Sequence, residues 1–164
     1  MAAQAHTPAE RGNLLLRELF GDNRALRREL YERRAELPAD NILLSSVLGN
    51  VAAVESLLAA DPSLAQRLGG PKQTQAITYV AHSRFYLIDA SYSARQQQIV
   101  KLLLANGADP NSAARNEEGD GRGRLSALYG CCPQPGNPAV ARLLLDAGAN
   151  PDDGESHYHA VQVV

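Results

Sequence analysis

Four histidines and two cysteines are the side chains of this sequence best suited to hold a metal or to serve as base and nucleophile. Their spacing argues against both roles. His157 and His159 are two apart, which points them to different sides of a helix, and no Cys-x-x-Cys accompanies them. His6 is remote in sequence, near the N-terminus. Cys131 and Cys132 are neighbours, and adjacent thiols close a disulfide only with considerable local strain, so they supply no extracellular framework. There is no Gly-x-Ser-x-Gly, no cysteine set beside a histidine base, and the carboxylates fall largely on exposed helix faces. Gly119-Asp120-Gly121-Arg122-Gly123 has the glycine content of a phosphate loop, yet no strand is expected to lead into it and no Lys-Ser/Thr follows. The expectation is a protein with no catalytic residues, no metal and no cofactor.

The elements that would position any site are set by a chain of 164 residues, 45% apolar, 21% charged and 5% aromatic, which suits one domain or a short repeat array. No apolar run reaches the roughly 18 residues of a membrane span, and Met1 to Gly12 lacks the basic and apolar regions of a secretory signal. A cytoplasmic, reducing location with no membrane partner is expected. The net charge of -2 comes from 16 basic and 18 acidic residues that are mostly interspersed, so nucleic acid is not an expected partner.

Two segments align without a gap: Ile99 to Asn111 (IVKLLLANGADPN) and Val140 to Asp152 (VARLLLDAGANPD), the second beginning 41 residues after the first. A third copy, Val54 to Pro62 (VESLLAADP), keeps the valine, the leucine pair and Asp-Pro but lacks the glycine. Each reads as a short helix with a one-sided leucine stripe, stopped by a glycine in the left-handed conformation and barred from continuing by proline. Upstream of each copy a partner helix is predicted, over Asp40 to Leu48, Thr74 to about Ile88, and Ser126 to Cys132, with N-caps at Asp40, Thr74 and Ser126. Helix pairs too small to bury their own apolar faces must stack, which makes a one-dimensional array.

These residues resemble the ankyrin family, whose repeat runs roughly G-x-T-P-L-H-x-A-A-x-x-G-H-x-x-V-V-x-L-L-L-x-x-G-A-D-V-N. Leu102 to Asn111 departs from it mainly at Pro110, and Leu143 to Asp152 is nearly as similar. First halves match less well: Ser126 to Cys132 stands for T-P-L-H-x-A-A, Gln75 to Ala81 is looser, and Gly49-Asn50 takes the G-H place. The cysteine pair thus falls where the family has paired alanines, as small core thiols. Gly154 to His159 opens a fourth repeat, with His159 at the family's structural histidine. The resemblance implies an all-α, ankyrin-type helical repeat array, an α-solenoid, over 39–164, divided at about 39–71, 72–111, 112–152 and a partial 153–164. Two helices over 1–38 cap it.

In that cap, Thr7-Pro8-Ala9-Glu10 is a capping box with proline at the first helical position, and Leu14, Leu15, Leu16, Leu19 and Phe20 follow as the apolar set. Gly21 ends the helix and Asp22 is placed to cap the next, where Leu26, Leu30, Tyr31 and Leu37 form a stripe ending at Pro38. Arg24, Arg27, Arg28, Arg33 and Arg34 form either a docking surface or, with Glu29, Glu32 and Glu36 at helical distance, a salt-bridged face. The second unit holds an insertion, His82 to Gln96, carrying Phe85, Tyr86 and Tyr92. Either its first helix runs longer and buries Phe85 and Leu87, or an enlarged loop adds a contact patch. Ser112 to Arg124 is a long polar finger made flexible by its glycines.

Ankyrin repeats bind other proteins and share no ligand or reaction, so the resemblance implies a non-catalytic scaffold that meets a partner with its concave face and fingers. The positions it leaves free for specificity are Lys72, Gln73, Tyr79, His82, Ser83, Glu117, Arg122 and Arg124, with Tyr79 as anchor unless it packs within its own repeat. The apolar end Val161-Gln162-Val163-Val164 keeps open the alternative of a recognition segment from a longer enzyme or effector. With Tyr158, it also predicts weak self-association through the C-terminal end.

Overall fold

The computed structural model describes residues 6–38, 40–115, 123–132, 136–153 and 156. The cap begins with α1 (Pro8–Glu18), whose capping box forms: the Thr7 hydroxyl accepts from Glu10 N–H at 3.2 Å and the Glu10 carboxylate accepts from Thr7 N–H at 2.7 Å. In α2 (Arg24–Glu32) the cap is Asn23 and not Asp22, because a turn from Asp22 C=O to Arg24 N–H places Asn23 at the helix entrance, where its side chain accepts from Leu26 N–H. The same one-residue shift recurs at α3 (Ile42–Val47), capped by Asn41 and not Asp40.

Three helix pairs follow: α3 with α4 (Val51–Ala60), α5 (Ala76–His82) with α6 (Tyr92–Ala105), and α7 (Ala127–Cys131) with α8 (Pro138–Asp146). α5 lies between α3 and α7, and α6 between α4 and α8, so the pairs stack in sequence order. The stripe that joins them is Val54, Ile99 and Val140, each followed four residues later by Leu58, Leu103 and Leu144, all buried. That is one helical turn and one face, and each fully buried aliphatic side chain contributes about 1.5–3 kcal/mol. The leucine before each of these, at 57, 102 and 143, is only partly buried.

α6 and α8 close as the repeat spacing predicts. Gly107 and Gly148 take φ of +86° and +95°, and paired backbone bonds, Ala108 N–H to Leu103 C=O and Ala149 N–H to Leu144 C=O among them, satisfy the last carbonyls. α4 has no such glycine and ends with Asp61 extended before a 3-10 turn at Pro62.

The helix expected to run from Thr74 to Ile88 is shorter. Gln96 is the reason: its side-chain amide donates to Val80 C=O at 2.7 Å and to Ser83 C=O at 3.1 Å, filling the acceptors a further helical turn would use. The chain leaves α5 after His82, makes a 3-10 turn at Phe85–Leu87, and restarts as α6. Phe85 is buried without the longer helix, while Leu87 is 52% exposed, so neither alternative for the insertion holds as a whole. Thr74 caps nothing; its hydroxyl is spent inside the core.

Two fingers complete the fold. One is closed by a bridge between Gly69 and Thr74, the other by β1 (Ala113–Arg115) and β2 (Arg124–Ser126), antiparallel with Ala114 opposite Leu125. A strand therefore does precede Gly119-Asp120-Gly121-Arg122-Gly123, but it pairs with β2, and the next helix among the described residues begins only after β2, at Ala127.

Candidate partner-binding face

The fingers are fixed at their bases. Thr74, Thr78 and Ser112 form a buried hydroxyl cluster with oxygen separations of 2.9–3.2 Å, joining the first finger to the second. Gln75 accepts from Asp109 N–H at 2.9 Å and Asn111 accepts from Asn150 N–H at 2.7 Å, so each turn is tied to the next. Above these bases lie exposed Gln73, Arg115 and Arg124, half-buried Lys72, and Leu68, 61% exposed. Arg115 and Arg124 stand opposite each other across the hairpin. Between this finger and the turn after α8 lies a hollow of about 400 Å³ lined by Arg124, Asn111, Asn150 and Asp153.

Tyr79, His82 and Ser83, expected on an open face, are interior. Tyr79 is fully buried. Its hydroxyl donates to Gly69 C=O at 3.0 Å and accepts from Lys72 N–H at 2.8 Å, so it shapes the first finger from beneath. Burial pushes that hydroxyl up to about 12, which keeps it a neutral donor. His82 donates from Nε2 to Ser126 C=O at 3.0 Å, and its pKa is pushed down to about 4, mainly by burial. Ser83 bonds the Tyr92 hydroxyl at 2.6 Å. Tyr79 and His82 are covered by an element from outside the repeats: Phe20, two residues past α1, sets its ring 5.5 Å from Tyr79 and 4.4 Å from His82, centre to centre. α7 covers the other side.

Glu117 and Arg122 lie outside the described residues, as do His157, His159, Tyr158, Val161, Val163 and Val164. Leu68, Arg115, Asn150 and Asp153 were not singled out by sequence reasoning. Leu68 is a lone leucine whose exposure no local pattern marks, whereas Arg115 flanks a predicted finger and could have been included on that ground.

For chemistry the arrangement offers little. Cys131 is buried, with its thiol pushed up to about 12 by burial, and Cys132 is shifted up for the same reason. Among the described residues no group of three or more His, Cys, Asp or Glu side chains is placed to hold a metal ion. Among them, too, no helix is long and apolar enough to cross a membrane.

Helix pairs stacked through leucine stripes, with glycine-stopped second helices and hairpins between the pairs, define an all-α, ankyrin-type repeat fold. The ankyrin repeat family model matches residues 87–116, a stretch that contains α6, its glycine turn and β1. No curated protein and no solved structure matches the chain. Ankyrin repeats are in general non-catalytic modules that bind other proteins.

Proposed function

We propose that this chain is a non-catalytic protein-interaction module of three ankyrin-type units, 39–71, 72–111 and 112–152, with 153–164 opening a fourth, behind a helical cap formed by 1–38. It meets another protein through its fingers. Lys72, Gln73, Arg115, Arg124 and the exposed Leu68 supply the contact, joined by Glu117 and Arg122, while Tyr79 positions the first finger from below. The observation that carries this reading is the contrast between mutually bonded finger bases and the exposed Leu68, Arg115 and Arg124 above them. The free thiols Cys131 and Cys132 suit the reducing cytoplasm.

The test is capture of the partner from native host cells, identification by mass spectrometry, and titration with the purified partner. Leu68→Ser combined with Arg124→Glu should weaken binding by more than about tenfold, with the melting temperature unchanged. Unchanged affinity in that variant would move the contact off the fingers. Absence of any saturable partner would overturn the module reading itself.

A further inference from the structure

The five arginines of the cap's second helical segment divide into two sets. Arg33 bonds Glu36 at 2.8 Å and lies 3.5 Å from Glu29, Arg28 is 3.8 Å from Glu32, and Arg34 lies over the Tyr31 ring at 4.5 Å. Arg24 and Arg27 have no carboxylate within 4 Å among the described residues, and neither has Arg84, which the insertion after α5 brings toward them. Arg27 is half-buried, and burial together with the positive charges of Arg84 and Arg24 depresses its pKa, outweighing the opposing pull of Asp22 and Glu18. Cations are thus held together against their own repulsion.

What they surround is apolar. Arg24, Arg27 and Arg84, with Arg28 beside them, border a groove of about 200 Å³ lined by Phe85, Leu87 and Ile88. Leu87 is 52% exposed there. The groove is built before anything binds. Phe85 stacks on Tyr31 at 4.2 Å and 21°, the Tyr31 hydroxyl donates to Asp89 at 3.0 Å, and Arg95 holds the same carboxylate at 2.8 Å. These contacts lock the insertion to α2, so little ordering cost remains for a ligand to meet.

A space of this size takes one large side chain, not a nucleotide or a folded surface. We propose that the groove is a docking site for an acidic segment of a partner protein, which seats an aliphatic or aromatic residue on Leu87 and Ile88 while its flanking carboxylates meet Arg24, Arg27 and Arg84. Arginine suits the task because its planar fork bonds a carboxylate bidentately. A nucleic-acid strand would meet the same cations without filling the apolar floor. This assignment rests on the reading of the chain as an interaction module and gives that module a second contact, away from the fingers.

The experiment is a fluorescence-anisotropy titration of the full chain with a short synthetic peptide of aspartates and glutamates around a central Leu-Phe pair. The same peptide with Ser-Ser at its centre and a single-stranded oligonucleotide of equal charge serve as comparison probes. The Leu-Phe peptide should bind at least about tenfold more tightly than either, and Arg27→Glu with Arg84→Glu, or Leu87→Asp alone, should each remove about tenfold or more. Arg24→Glu, at an exposed position, repeats the charge test should the double variant fold poorly by circular dichroism. Equal binding of the Ser-Ser peptide, equal or tighter binding of the oligonucleotide, or indifference to the charge changes would overturn the proposal. Loss of the host partner in the finger variant alongside such a negative titration would leave the module reading standing and remove only the groove.

Discussion

α6 and α8 end alike and begin differently. Both carry the valine or isoleucine and leucine pair at the same spacing, and both close on glycine through the same backbone bonds. Yet α8 starts at Pro138, two residues ahead of Val140, whereas α6 starts at Tyr92, seven ahead of Ile99. The extra turns of α6 carry Tyr92, which donates to Val47 C=O at 2.7 Å in the previous unit, and Gln96, which accepts from Asn137 Nδ2 at 2.8 Å in the next. The helix ends obey a local rule any unit can repeat. The helix beginnings hold side-chain bonds that fit one neighbour only.

The sharpest way to test the equivalence of the ends is to empty the matching core sites. Leu103→Ala and Leu144→Ala should each cost about 2–5 kcal/mol in urea unfolding, since both leucines are fully buried. A near-neutral result at either would break the comparison. Next in size is Gln96→Leu, which strands Ser83 C=O and Asn137 Nδ2 in the interior, leaves Val80 C=O with Ser83 N–H alone, and should cost about 2–4 kcal/mol. Asn137→Ala should cost about 1–2 kcal/mol, because it removes the cap that accepts from Val140 N–H at 3.3 Å as well as the bond to Gln96. If the Gln96 change cost no more than the Asn137 change, the uniqueness of the α6 beginning would be lost.

The smallest effect, over the pH range in which the rest of the protein is least disturbed, is a pH dependence at α5. His82 is held neutral, its pKa down to about 4 from an ordinary 6.5, so the unfolded chain binds the proton first as pH falls. Stability should decline on acidification, beginning below pH 6.5 and levelling near 4, by on the order of 1 kcal/mol between about pH 7 and 5.5. Chemical denaturation across that window should show the slope in the wild type and lose it in His82→Gln. Asp89 is held well below the ordinary carboxylate range, first by Ser91 and then by Arg95 and Tyr31, so its contribution is lost only at still lower pH.

The same division explains what could be read from residues alone. The second helices and their stops were legible because leucine spacing, Gly and Asp-Pro are contiguous signals. N-caps slipped by one where Asp and Asn stand together, as at Asp40-Asn41 and Asp22-Asn23, since either can accept the first free N–H. Gln96 sits in a run of Arg and Gln that reads as solvated, yet it is fully buried. The site fared worse for a related reason: Tyr79 and His82 look open in a repeat taken alone, and only the three-dimensional path of the cap places Phe20 over them.

That placement gives Phe20 a character of its own. It is a ligand the array carries with it, tethered through α1 on one side and α2 on the other, with a local concentration on the order of millimolar. Any outside molecule reaching for α5 competes with this built-in occupant before it touches Tyr79. The free protein therefore stands in a self-occupied form where Tyr79 and His82 would otherwise meet solvent.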